Sequence, residues 1–141
     1  MRENDLNDTR APLAVPKIRK QEIKTDKAPK IHRYLPQGIR AGDLIFLSAA
    51  PIDLKGNLVK GGFEKAAKQT FENVRAVLTA AGSSMKNIVR IDVYLQNLED
   101  FDRFNKIYAE YIPEPYPARS ICQPARTPLD HPLGMVVTAL A

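Results

Sequence analysis

Apolar residues recur at helical spacing in two stretches of the chain. In the first stretch they stand at intervals of four, three, four and three, which predicts an amphipathic helix that begins after Gly61-Gly62 and ends at Gly82. A second stripe predicts another helix, with Asn97 as its N-cap and an end before Pro113. The stripes consist of Ala67, Phe71, Val74, Leu78 and Ala81, and of Phe101, Phe104, Tyr108 and Tyr111.

Strand patterns occupy the stretches around these helices. A hairpin is expected to turn at Ala41-Gly42-Asp43, and the apolar run at 44–47 that follows is typical of a strand buried on both faces. Apolar and polar residues alternate near the middle of the chain, which predicts a strand with one apolar and one more polar face. The predicted strands lie at 39–48 (the hairpin), 87–95, 118–123 and 135–141.

The resulting order is β-β-α-β-α-β-β, and we expect both helices to lie on one face of a sheet. We expect one domain over residues 23–141, preceded by a flexible polar extension at 1–22. Because no third helical pattern covers the other face of the sheet, we expect copies of the chain to close their sheets against each other as a homo-oligomer.

Composition narrows the function classes. The chain has 141 residues, of which 26% are charged, and no apolar run reaches the roughly 18–20 residues of a membrane helix. A single cysteine, Cys122, and a first segment without the apolar core of a secretory signal predict a cytoplasmic protein. His32 and His131 lie far apart in the sequence, and we expect no metal ion and no cofactor.

The net charge of +5 raises the question of nucleic-acid binding. The surplus of Lys and Arg lies at 17–33, whereas the two signs nearly balance beyond Tyr34. Aromatic residues follow helical spacing instead of interleaving with basic residues as a base-stacking surface would. The charge pattern therefore argues against RNA or DNA as the partner.

Arg119 is the residue that points most directly to chemistry. It opens a predicted strand just after Pro115 and Pro117, which predicts a guanidinium aimed from a sheet edge at a carboxylate, although a surface salt bridge would give the same pattern. Alternation places Ile121 on the same face as Arg119 and Cys122 on the other, where Cys122 is expected to be inert. His131, in a loop, is expected to be a solvated turn residue.

Several short motifs, in order, resemble the Rid family of reactive-intermediate deaminases (YjgF-type proteins). The resemblance covers residues 38–141 and rests on RAGDLIFLS at 40–48, Gly61-Gly62, QTFENVRAVL at 69–78, AAGS at 80–83, VRIDVYL at 89–95, Phe101 with Asn105 and Tyr108, and PARS at 117–120. It implies a chorismate-mutase-like α+β subunit with a mixed sheet, a homotrimer and three clefts between subunits.

The resemblance also implies a site. Arg119 matches the family's carboxylate-binding arginine, Ser48 and Asn105 match pocket positions, and Tyr34 lies near an aromatic that closes the cleft. Three positions depart from the family pattern and are expected to line the same pocket: Ala49, Ile121, and Val136, which stands where deaminating members carry a glutamate. A loop at 130–134 resembles an insertion that would bring Asp130 or His131 toward the cleft as a substitute base.

From the resemblance we expect a deaminase that hydrolyses a small carboxylate-bearing imine or enamine and releases ammonia. Two alternatives stay open. A more apolar pocket suits a pathway-specific deaminase of an aminomuconate- or aminoacrylate-type dienamine, and the missing glutamate suits a non-catalytic trimer that binds a small acid.

Overall fold

The computed structural model describes residues 11–12, 14 and 17–141, and within them one six-stranded sheet carries two helices. The elements follow in the order β1 (Lys20–Ile23), β2 (Gly38–Ala41), β3 (Leu44–Ala49), α1 (Phe63–Ala80), β4 (Ile88–Leu95), α2 (Phe101–Tyr111), β5 (Ala118–Cys122) and β6 (Leu133–Leu140). The predicted order of two strands, helix, strand, helix and two strands is confirmed for the elements from β2 onward.

The strands are ordered β1-β2-β3-β6-β4-β5 across the sheet. β4 and β5 are parallel and all other neighbours are antiparallel, so the sheet is mixed as predicted. The last strand of the chain, β6, lies between β3 and β4. β1 and β5 therefore form the two opposite edges.

Strand β1 was not predicted, and its first three residues fall within the extension expected at 1–22. Only Ile23 of its four residues is buried, so β1 carries no alternation that could mark it in the sequence. It pairs with β2 through backbone hydrogen bonds, in which Ile23 lies opposite Gly38. Most of the predicted extension lies outside the described residues.

Both helices pack on the same face of the sheet. α1 contacts β3, β6 and α2, and the core between the layers consists of fully buried side chains such as Phe71, Phe104, Ile45 and Leu78. Asn97 caps the 3-10 turn Leu98–Asp100 that leads into α2, because its Oδ1 accepts the backbone N–H of Glu99 at 2.9 Å. The N-cap position of α2 itself is Asp100 and not Asn97 as predicted. Gly82 has φ +78° at the end of α1, a conformation that favours glycine.

The other face of the sheet is exposed, which corrects the expectation that residues 44–47 are buried on both sides. Burial alternates along β3, with Ile45 and Leu47 in the core. The exposed face carries Leu44, Phe46, Val136 and Leu140, whose residues are between 36% and 47% exposed in one protomer. A continuous apolar run thus reflects a core on one side and an uncovered apolar surface on the other.

Candidate functional site

Arg119 lies on the edge strand β5 and its side chain points toward α2. Its Nη1 donates a hydrogen bond of 2.8 Å to Oδ1 of Asn105. Its guanidinium carbon lies 4.7 Å from the ring centroid of Tyr108 and 6.0 Å from that of Phe101. An amide and two aromatic rings, all supplied by α2, therefore hold the cation in place.

The spacing of these residues follows from the helix. Phe101, Asn105 and Tyr108 stand four and three residues apart, so they share one face of α2. Asn105 was predicted to line the same pocket as Arg119, and the two side chains are in contact. Phe101 and Tyr108 were predicted as part of the apolar stripe and of the family motif, without a contact to Arg119. An arginine on the next strand gave them a second role that helical spacing alone could not indicate.

Tyr108 forms the wall below the guanidinium. The residue is 6% exposed and its hydroxyl has no hydrogen-bond partner among the described residues. Burial raises the pKa of the Tyr108 phenol, and the positive charge of Arg119 acts in the opposite direction. The phenol therefore stays protonated near neutral pH, and its ring borders the site as an apolar surface.

The guanidinium of Arg119 has N–H donors that no hydrogen bond uses within the described residues. Arginine has five N–H donors, and Asn105 is the one hydrogen-bond acceptor that its side chain reaches within the described part of the chain. None of the ion pairs described for these residues involves Arg119. A half-buried arginine without a carboxylate partner is suited to receive the carboxylate of a ligand.

On the opposite face, four residues lie side by side in one row across four strands. Ser48 of β3 pairs with Val136 of β6, Val136 pairs with Asp92 of β4, and Asp92 pairs with Ser120 of β5. Ser48 and Ser120 are exposed like Val136, and Asp92 is half-buried. We call these four residues the cross-sheet row.

Asp92 is the charged member of the cross-sheet row. Its Oδ1 accepts hydrogen bonds from Arg90 Nη2 at 2.8 Å and from the hydroxyl of Ser120, and its Oδ2 accepts one from Arg90 Nε at 3.3 Å. The hydrogen bonds from Arg90, and then from Ser120, lower the pKa of Asp92 below its usual range. Asp92 was predicted only as part of the polar face of its strand.

The remaining predicted site residues lie in three places. Ile121 shares the helix-facing side of β5 with Arg119 and packs against the core. Ala49 is turned to the core and is 9% exposed in one protomer, so its side chain does not share the open face of β3 with Ser48. Tyr34 is 70% exposed in the connection between β1 and β2, where Arg33 lies 4.5 Å from its ring centroid.

His131 is buried, not solvated as predicted. It is 8% exposed, and its Nε2 has no partner within the described residues. Its carbonyl accepts a hydrogen bond of 2.6 Å from Thr127, whose side chain also contacts Gln96, and these bonds draw the loop inward. Burial lowers the pKa of His131. Asp130 is exposed and pairs with Arg126 at 3.0 Å.

Two further observations concern ligands and membranes. Across residues 11–12, 14 and 17–141, no three His, Cys, Asp or Glu side chains are grouped as they would be to hold a metal ion. In that same part of the chain, neither helix has the length and apolar character required to cross a bilayer.

Comparison with known proteins gives consistent matches. The family model described as Endoribonuclease L-PSP matches residues 25–141. A RutC family protein of Pyrococcus horikoshii is 40% identical over 113 residues, which are 79% of this chain and 90% of that protein. The chloroplastic Reactive Intermediate Deaminase A of Arabidopsis thaliana is 36% identical over 115 residues, which are 80% of this chain and 62% of that protein.

A solved structure gives the same result for the fold. RidA from an Antarctic Psychrobacter species superposes with a TM-score of 0.81 at 32% identity, and the match covers 86% of this chain and 99% of that chain. The predicted α+β fold with two helices on a mixed sheet is thereby confirmed.

Proposed function

The chain belongs to the L-PSP endoribonuclease family, which is also the RutC and Rid family, and from that premise we propose that it deaminates a small imine or enamine that carries a carboxylate. Arg119 is the observation that carries the proposal. It is half-buried, it is held by Asn105 and two rings, and no acidic side chain within the described residues neutralises it.

The reaction needs little beyond positioning. Arg119 binds the carboxylate of a 2-imino acid through two parallel N–H donors, which fixes the neighbouring C=N carbon. Water adds to that carbon, the nitrogen takes up a proton, and the C–N bond of the resulting carbinolamine breaks to give ammonia and a 2-oxo acid. An enamine reaches the same route after it takes up a proton at carbon.

The working form is proposed to be a homotrimer with its sites between subunits. Arg119 belongs to the β5 edge of the sheet, whereas Tyr34 belongs to the connection at the β1–β2 edge. Ser48 and Val136 are on the face opposite to Arg119. One protomer therefore cannot combine these residues around one ligand, and a neighbouring copy would supply the missing side.

The decisive experiment measures ammonia release from 2-iminobutyrate and 2-aminoacrylate generated in situ by a dehydratase. Wild type should exceed the uncatalysed rate, and Arg119→Ala should lose that excess. Arg75→Ala is the matched control, because Arg75 lies 5.0 Å from the ring centroid of Tyr111 but is already paired with Glu72. Arg75→Ala should keep wild-type activity.

The alternatives predict different results in the same assay. Turnover of a longer dienamine acid without turnover of the short imines would favour the pathway-specific deaminase, for which the apolar Ile121 and Val136 are suited. Arg119-dependent binding of small acids without any turnover would favour the non-catalytic trimer.

We also propose a cytoplasmic location, since one exposed cysteine, Cys122, suits a reducing compartment.

A further inference from the structure

We infer that Asp92 supplies the carboxylate that holds the attacking water, in place of an acidic residue at position 136. This inference rests on the proposed deaminase function. Asp92 and Val136 are direct neighbours on adjacent antiparallel strands, β4 and β6. Side chains paired in this way point to the same face, with Cβ atoms about 4.5–5.5 Å apart.

Asp92 is the single acidic residue in strands β3, β4, β5 and β6. Its side chain is 29% exposed, so a water molecule can reach it from the open face of the sheet. An aspartate next to Val136 can thus present a carboxylate to the space above the valine. It would face the same ligand that a side chain at 136 faces.

The hydrogen bonds of Asp92 leave room for that water. A carboxylate has about four acceptor positions, and Arg90 and Ser120 occupy three of them in the structure. The remaining position is on Oδ2, which Arg90 contacts only at 3.3 Å. The two donors also fix the orientation of the carboxylate, as a water-positioning group requires.

The lowered pKa of Asp92 agrees with the role that its position and hydrogen bonds give it. The carboxylate stays ionised through neutral pH and is a weak base, so it orients water and stabilises positive charge. As the water oxygen bonds to the iminium carbon, the electron pair of the C=N bond moves to nitrogen. Asp92 accepts the proton that the water loses and passes it to that nitrogen. Ammonia then leaves, and the carbinolamine hydroxyl releases its proton as C=O forms.

The test compares steady-state ammonia release by wild type, Asp92→Asn and the control Asp26→Asn, whose carboxylate pairs with Lys30 in an exposed loop. Asp92→Asn should lower kcat about 100-fold with little change in KM, and Asp26→Asn should match wild type. Adding Val136→Glu to Asp92→Asn should recover at least about a tenth of the wild-type kcat, because the new carboxylate enters the same space.

A second readout separates catalysis from a structural role. Removing the main donor in Arg90→Ala should raise the pKa of Asp92, so the acidic limb of the kcat profile should move to higher pH. If wild type is active, Arg119→Ala is inactive and Asp92→Asn keeps wild-type kcat, the role of Asp92 is refuted while the deaminase function stands.

The remaining results of these assays also test the proposed role of Asp92. If wild type releases no ammonia above background, the proposed function and this inference fall together. If Asp92→Asn does not fold by circular dichroism, the Arg90→Ala profile decides alone, and an unmoved acidic limb overturns the inference.

Discussion

The hydrogen bond between Asn105 and Arg119 gives a prediction about ligand affinity. Asn105 Oδ1 lies 2.8 Å from Arg119 Nη1 and is the side-chain acceptor that orients the guanidinium. In Asn105→Ala the two rings of α2 still flank the cation, but no group fixes its rotation. Affinity for a carboxylate ligand should fall, because the guanidinium must be ordered when the ligand binds.

The strength of the hydrogen bond between Asn105 and Arg119 sets the expected loss of ligand affinity. A hydrogen bond to a charged group contributes about 1.5–3 kcal/mol, and solvent competes for a half-buried arginine, so we expect the lower end of that range. A loss of about 1.4 kcal/mol of binding free energy corresponds to a tenfold higher dissociation constant. Calorimetric titration with 2-oxobutyrate, a carboxylate that does not turn over, measures it directly.

An aspartate at position 105 makes the test sharper. Asn105→Asp keeps the shape of the side chain and the contact with Arg119, but it places a negative charge where only an amide oxygen stood. The new ion pair should compete with the ligand carboxylate and weaken binding more than Asn105→Ala does. Asn57→Ala, which removes an exposed amide elsewhere, should leave the titration unchanged.

Two results would refute the reasoning. If Asn105→Ala and Asn105→Asp both bind 2-oxobutyrate within twofold of wild type, Asn105 does not position the guanidinium. If Asn105→Asp binds as well as wild type while Asn105→Ala is weak, the shape of the residue matters and its charge does not, so Arg119 is not the carboxylate anchor.

Three further predictions concern stability and assembly. Phe71 is fully buried, and its ring centroid lies 4.8 Å from that of Tyr111 and 5.8 Å from that of Phe104. Phe71→Ala should therefore lower the free energy of unfolding, measured by urea titration, by about 4 kcal/mol, and a loss below about 2 kcal/mol would contradict this packing. Burial lowers the pKa of His131 in the folded state, so the unfolded chain binds a proton on this imidazole more readily than the folded chain does. The free energy of unfolding should therefore fall as the pH drops below about 6.5. His131→Gln should lose less melting temperature than wild type between pH 7 and pH 5, and an equal loss would exclude His131 as a source of the acid sensitivity. Phe46 is 43% exposed on the uncovered face of the sheet, where we expect the subunits to meet. Light scattering of wild type should give about three times the 15.8 kDa of one chain, and Phe46→Lys should give a smaller mass. A Phe46→Lys mass equal to that of wild type would exclude this face from the interface.

The helices and the strand β4 were predictable because each buries one face with a regular period. α1 follows its apolar stripe closely, and β4 alternates as expected between core and open face. α2 buries Phe104 and Tyr108 of its stripe but exposes Phe101. β1 was not predictable, because an edge strand with one buried residue is held by backbone hydrogen bonds that every sequence can form.

The candidate site was predictable only in part. Motif resemblance pointed to Arg119 and Asn105, and their contact follows once α2 packs beside β5. Ala49 follows the exposed Ser48 by one position, so period-two alternation turns its side chain to the core, which the motif resemblance did not indicate. The burial of His131 depends on Thr127 and Gln96, which come from separate parts of the chain, and no local pattern marks such bonds.

The relation between Asp92 and Val136 depends on strand order, which lies beyond any local pattern. In the sequence Val136 reads as the loss of a carboxylate, but β6 inserts between β3 and β4 and places Asp92 directly beside it. Two carboxylates directly opposite on one face of a sheet repel each other, so an aspartate at 92 and a glutamate at 136 would destabilise the same row. A valine at 136 is therefore the residue to expect when the neighbouring strand already holds the charge, and under the proposed mechanism the two positions would act as one unit.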